Sequence, residues 1–485
     1  MMKKIYIYTS LLLLTVAGCK KELIQNPDNA VAARDAFNTP ANFTQAILGA
    51  YSGLGGSTYY GGEDGGSMAA TPDVLSDNLI LSSAGRKSEQ DYFNFNMTAT
   101  DVWDLWPSAY TQILRDNYII SNIGNLSDGA FKNNILGEAL ALRALAHFDL
   151  LRVYGKAYAT ATDGDPGVPY VTSTNPFLLP ARTSDKTAYG LVVADMVQAI
   201  TLIGTDNGPY RLNKSAAEGL LSRIYLYEAD WANAVTAATN SIKDANSNGH
   251  VLGTPANFGS IWIDGDDESS SEVLFRVSFQ DADGIAIGVG YEQASGTSVK
   301  PEYSPDYAFF NMYTSTDVRG PAYIGQTVFN GANLNYITKY FGRASGDANV
   351  VDFKVIRLGE VYLNRAEAEY NEGPSGYAAA LADLNTLRAG RYTSFTPGTE
   401  TGGTGGTLYP AIMLQRRLEL AFEGHRFFDI KRLGLPIQRS NFGDLANGTG
   451  VPAAVQLIPA GSNKFELPIP QSEIDANSNI SQNPQ

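Results

Sequence analysis

The 485-residue chain carries 35 Lys and Arg against 50 Asp and Glu, a formal net charge of −15, with one Cys and three His. Such an acidic surface repels phosphate backbones and anionic headgroups, which excludes nucleic-acid binding and purely electrostatic adsorption to a membrane. A single thiol excludes an intramolecular disulfide, so a chain that is 44% hydrophobic and 11% aromatic must be held by its core.

In chain order the first feature is a leader. Lys3 and Lys4 followed by apolar Ile5 to Leu14 form the n- and h-regions of a secretory signal. The run is well short of the ~20 residues that span a bilayer. Ala17 and Gly18 then precede Cys19, an order that resembles the bacterial lipobox. Residues 1–18 are therefore expected to be removed and Cys19 to be acylated. At about 0.8 kcal/mol per buried methylene, several acyl chains make release negligible. Residues 19–36 read as a polar tether, and the remainder as one body with parts 37–250 and 251–485.

Helical periodicity dominates that body. Phe43, Ile47, Tyr51 and Leu54 mark a helix within 40–54. Trp103, Trp106, Tyr110, Ile113, Leu114, Asn117 and Ile120 mark one within 102–123. Residues 131–155 form a strong helix stopped by Gly155, and another lies near 184–203. A pair follows at 214–229 and 231–245, joined through Asp230, with the small-plus-aromatic packing of a tetratricopeptide hairpin. The theme returns at 352–370 and 377–390 without a fixed short period, so the chain is no plain solenoid. Between these helices, 55–100, 156–183, 253–350 and 391–409 are rich in Gly, Asp, Ser, Thr and Tyr, with one strand expected over Glu272 to Phe279. Long loops on a helical scaffold are where ligand-binding residues concentrate.

Motifs for chemistry are sparse. The stretch "RRLELAFEGHRFFD" holds Glu419 and Glu423 one helical turn apart, and Arg426 and Asp429 within i,i+3 reach. Interleaved with Leu418, Leu420, Phe422, Phe427 and Phe428, these charges read as a structural ion lattice rather than a catalytic pair. His147, His250 and His425 are far apart in sequence and no HExxH or CxxC occurs, so no metal centre and no cofactor is expected. The acidic turns 163–165 and 264–268 complete no calcium loop. No GxSxG or Walker A pattern is present.

Several stretches together resemble one family: "GEALALRALAHFDLLRVYG" (137–155), "DPGVPYV" (165–171), "IRLGEVYLNRAEAEY" (356–370), "LNTLRAG" (384–390), "QRRLELAFEGHRFFDIKRLG" (415–434) and "FELPIPQSEIDANSNISQNPQ" (465–485). They are similar to the SusD/RagB outer-membrane lipoproteins, over the whole chain from Cys19. The resemblance implies a mainly α fold, with tetratricopeptide-like hairpins packed against a loop-rich half with a few short strands. It also implies a non-enzymatic, lipid-anchored protein on the cell exterior. Such a protein binds an oligosaccharide, or in some relatives a peptide, and passes it to a SusC-like TonB-dependent transporter. A hydrolase and a ligand-free assembly protein are the readings from other classes.

A sugar pocket wants an exposed ring for the C–H face and Asn, Asp, Arg or Gln for the hydroxyl rim. Two loop regions supply this mixture, in about the parts of the chain where the family's ligand loops fall. The first offers Tyr59, Tyr60, Asp73, Asp77, Asn78, Arg86, Tyr92 and Phe93; the second offers Tyr291, Glu292, Tyr303 and Tyr307. Trp106 reads as packing, and Trp103 is carried as a further candidate.

Overall fold

The computed structural model describes residues 36–484, apart from 63–65, 205–206, 264–271, 296–297 and 343–346. The leader, Cys19 and the 264–268 turn lie outside the described residues, as does the tether up to residue 35.

Helices α1 (Pro40–Leu54), α2 (Leu105–Asn122), α3 (Ala130–Tyr154), α4 (Asp185–Leu202), α5 (Lys214–Glu228) and α6 (Trp231–Ser247) build the first part. Each start has a local cause. Thr39 caps α1, its hydroxyl accepting from the Asn42 amide at 3.2 Å, with Pro40 in the first turn. Asn213 caps α5 through the Ala216 amide at 2.9 Å. The α5–α6 hairpin turns as the sequence predicts: Ala229 takes a left-handed conformation, φ 57°, and Asp230 caps α6. Small residues let the two helices approach, and a Cβ on Gly219 would meet Ser241 Oγ at 3.2 Å.

Helix α3 is the axis of this part, packed by α2 on one side and α4 on the other. Every residue from Gly137 to Tyr154 is buried, polar ones included, so each of those needs a partner. Arg143 is bidentate on Asp195 at 2.7 and 2.9 Å, and Glu138 accepts from Arg211 Nε at 2.9 Å and the Tyr51 hydroxyl at 2.7 Å.

The second part alternates strands and helices, and one strand of the first part pairs into it. Strands β1 (Leu79–Leu81), β2 (Val273–Val277), β3 (Glu292–Ser295), β4 (Ser298–Pro301), β5 (Tyr303–Pro305), β6 (Ile324–Phe329), β7 (Ala332–Ile337), β8 (Phe353–Arg357), β9 (Ile437–Gln438) and β10 (Leu457–Ile458) pair antiparallel as β1–β5, β2–β8, β3–β4, β6–β7 and β9–β10. Helices α7 (Leu358–Asn371), α8 (Tyr377–Ala389), α9 (Leu408–Glu419) and α10 (Arg426–Arg432) complete it. The expected strand at 272–279 is β2. The helix expected over 352–370 starts only at Leu358, because Phe353–Arg357 pairs with β2 as β8. Helix α7 packs on α5, α6, α8 and α9 and so joins the two parts. The architecture is the mainly α scaffold with few short strands that the sequence implies.

Candidate functional site

Glu419 and Glu423 do not lie on one helix. The chain leaves α9 after Glu419, passes Phe422 at φ 64° and Gly424 at φ 73°, and re-enters helix at Arg426. Both carboxylates are fully engaged in the interior. Glu419 accepts from Arg391 Nε at 2.9 Å, Arg391 Nη2 at 2.8 Å and Arg319 Nη1 at 3.1 Å. Glu423 accepts from Arg357 Nε at 2.8 Å and Lys339 Nζ at 2.7 Å. Burial alone would raise Glu419, but Arg391, Arg357 and Arg319 hold it well below the usual carboxylate range. With Glu272 and Asp317, four anions meet Arg319, Lys339, Arg357 and Arg391 in a buried lattice, where burial pulls the Lys339 ammonium down to about 7. Arg426 and Asp429 do not pair with each other: Asp429 accepts from Arg416 and Arg432, while Arg426 reaches Asp77.

Apart from Tyr307, the rings expected to face ligand are packed inside, which corrects that expectation. Tyr59 and Tyr60 are stacked at 4.7 Å, and both hydroxyls donate to Asp149 Oδ2, at 2.9 and 2.8 Å. Burial first, then the Asp149 charge, raises both phenols well above their ordinary range, so they stay protonated donors. Tyr291 donates to the Ala69 carbonyl at 2.8 Å and stacks on Tyr340. Tyr303 and Tyr92 are buried, as are Phe93 and Glu292. Trp103 is 1% exposed; its indole donates to the Thr58 carbonyl at 2.7 Å, and Gly66 lies so close that a Cβ would stand 2.8 Å from the ring. Trp106 packs, as expected.

The acids and amide are engaged too. Asp73 accepts from the Gly424 amide at 2.7 Å and the Phe422 amide at 3.2 Å, fixing the bend after α9, and burial pushes its pKa up to about 7. Asp77 takes Arg426 in a bidentate pair at 2.7 and 2.9 Å. Burial would raise it, but Arg417 and Arg426 more than offset this and lower it. Asn78 Oδ1 accepts from Arg417 at 2.8 Å. These side chains hold the first loop region onto α9 and α10. Asp165, in the other acidic turn, accepts from Lys156 and from Thr162 N and Oγ, both at 2.8 Å.

Two of the residues named from the sequence reach the surface. The loop after β1 is clamped by buried Glu302, which accepts from the Arg86 amide at 2.7 Å, the Ser88 amide at 2.7 Å and the Ser88 hydroxyl at 3.0 Å. The Arg86 side chain is 29% exposed; its guanidinium stands 3.6 Å from Glu302 and donates to the Val289 carbonyl at 3.3 Å. With its oxygen facing the guanidinium, Gln293 accepts from Arg86 Nε at 2.8 Å. At the other end of the β1–β5 ladder, half-buried Tyr307 meets Phe442, 44% exposed, edge to face at 5.0 Å. The three-residue ladder lies between the two groups. Asp444 ties the loops together, accepting from the Ser83 amide at 2.8 Å and the Val451 amide at 2.9 Å. A fixed guanidinium offers donors to hydroxyls, and an aromatic edge offers an apolar face. Phe442 and Asp444 were missed from the sequence; their one signal is the loop chemistry of "NFGDLANGTG".

Residues 323–485 match the profile of the SusD family, and residues 23–226 match a second profile described as "Starch-binding associating with outer membrane". The chain belongs to the SusD/RagB family. A curated SusD-like protein, P2 of Formosa agariphila, is 25% identical over 530 aligned positions, covering 99% of each chain. Among solved structures, a candidate sugar binding protein from Bacteroides vulgatus superposes with a TM-score of 0.80 at 28% identity, covering 93% of this chain and 99% of that one. A SusD superfamily protein from Bacteroides thetaiotaomicron gives 0.78 at 28% identity, covering 92% and 100%. In SusD/RagB terms, the clamped loops around Arg86 lie in the first region where the resemblance put ligand, and Tyr307 in the second.

Proposed function

We infer that this chain binds carbohydrate at the outer membrane and delivers it to a SusC-like TonB-dependent transporter without cleaving it. The observation that carries the reading is the match of residues 23–226 to a family described as starch-binding and outer-membrane-associated. The neighbour described as sugar-binding, similar over 93% of this chain, supports it. The local chemistry agrees. Arg86 keeps part of its side chain in solvent, where it can bond sugar hydroxyls, and the Tyr307–Phe442 pair offers an apolar surface beyond the other end of the β1–β5 ladder. Glu419 and Glu423 are both saturated by cations in the core, which leaves that pair no acid–base role. Anchoring is assigned to acylated Cys19, with the body on the cell exterior.

Affinity electrophoresis through starch and laminarin, with chromatography of the same sugars after long incubation, tests this. Retardation without products is expected. Product release lost on replacing one carboxylate would overturn the non-enzymatic reading. Co-purification with a large barrel and no response to any glycan would favour an assembly role.

A further inference from the structure

One large cleft among the described residues lies away from the loop face. It runs between α1 and α2, about 1040 Å³, and a second cavity of about 290 Å³ opens at the C-terminal end of α1; Ser52 lines both. We propose that the two form one continuous groove that binds an extended oligosaccharide, as a second carbohydrate site remote from Arg86. The proposal rests on the carbohydrate reading above.

Three observations point to sugar. A half-exposed tyrosine stands in each cavity, Tyr118 at 40% and Tyr210 at 42%. Each ring is backed from within the protein: Tyr118 is stacked on Phe37 with centroids 6.5 Å apart and planes 15° apart, and the Arg276 guanidinium lies 4.6 Å from the Tyr210 centroid. A ring supported in this way is already oriented, and its open surface matches the C–H face of a sugar. Between the rings, the hydroxyls of Ser52 and Thr111 and the guanidinium of Arg115 line the wall.

The floor is built for close approach. A Cβ on Gly53 would stand 2.0 Å from Arg115 Nη1 and 2.4 Å from Gln112 Oε1, so a side chain there would displace the Arg115 guanidinium, which lies across α1 toward the Gly49 carbonyl. From Ala46 to Gly53 the groove follows α1 for about 10 Å, at 1.5 Å per residue, before it passes Gly56 and opens toward Tyr210. A run of that length, continued into the second cavity, suits a chain of sugar rings rather than a monosaccharide. A glycan held both here and at Arg86 would gain avidity from the second contact.

Isothermal titration of the full chain with maltoheptaose and with laminarin tests this. Two classes of site are expected. Tyr118→Ala and Tyr210→Ala each weaken one class about tenfold and leave the class that Arg86→Ala removes. Tyr118→Phe and Tyr210→Phe keep the ring and retain binding, with melting temperatures confirming that all variants fold. A single class, removed by Arg86→Ala and indifferent to both tyrosines, overturns the groove and leaves the carbohydrate reading standing. No binding of either glycan overturns both. A synthetic peptide of residues 20–35 that displaces maltoheptaose from the tyrosine-dependent class would assign the groove to the chain's own tether and also overturn the proposal.

Discussion

Glu419→Gln removes one negative charge from the centre of the buried lattice and leaves its volume unchanged. In the native chain Arg391 and Arg319 donate to this carboxylate at 2.8–3.1 Å, and Arg357 donates as well. The glutamine side chain would turn an amide donor toward guanidinium donors. Three guanidiniums, those of Arg319, Arg357 and Arg391, together with Lys339, whose pKa burial pulls down to about 7, would then face three anions, Glu272, Asp317 and Glu423, all of them buried. Breaking a buried pair on one side costs about 3–5 kcal/mol, because the partner charge is left uncompensated. Urea denaturation followed by intrinsic fluorescence at pH 7 should therefore show a loss of that size. Glu419 is held below its unfolded value, so its contribution is complete above the unfolded carboxylate pKa and is lost as pH falls through the lower folded one. The gap between wild type and variant should therefore be full at pH 7 and narrow only in acid. Asp128→Asn serves as the comparison, since that carboxylate stands in solvent beside Lys132; it leaves the midpoint unchanged. A Glu419→Gln cost under ~1 kcal/mol, the size of a surface pair, would refute the lattice as a source of stability.

Gly424 sits at φ 73°, and a Cβ there would stand 2.1 Å from the Met68 carbonyl oxygen. Gly424→Ala should therefore lose ~2 kcal/mol or more in the same assay, and a neutral result would contradict the tight bend that Asp73 organises. Burial, against the hydrogen bond to the Arg143 carbonyl, pushes His147 down to about 3. The unfolded imidazole takes a proton first, so His147 withdraws stability as pH falls from ~6.5 toward 3. Its NMR ring signals should stay flat from pH 7 to 4, and an inflection near 6.5 would show the ring to be solvated.

The helices were legible in the sequence because burial imposes a period. Residues 214–228 and 231–247 needed only small residues and a capping Asp230 to be recognised as a hairpin. The extent of α7 was misjudged since "FKVIR" is apolar enough for either state, and only its pairing with β2, distant in sequence, makes it a strand. The lattice was legible in kind but not in partners. Arg426 has Asp429 three residues away, yet it bonds Asp77, 349 positions distant. The ligand rings failed for a related reason. A tyrosine in a Gly-rich loop has the same sequence signature whether its hydroxyl meets water or a buried Asp149, as those of Tyr59 and Tyr60 do. Arg86 kept its exposure because Glu302 binds the backbone of its loop and leaves part of the guanidinium outside.

In the proposed function this SusD/RagB chain holds carbohydrate through the Arg86 guanidinium and does no chemistry on it. The most direct measurement is isothermal titration of wild type and Arg86→Ala with maltoheptaose and laminarin, with product analysis of the same mixtures. Losing a charged hydrogen-bonding group worth about 1.5–3 kcal/mol should weaken binding at the Arg86 site tenfold or more, with melting curves showing that the variant folds and no shortened sugars formed. Equal affinity in the two proteins, or shortened sugars in the wild-type mixture, would contradict it.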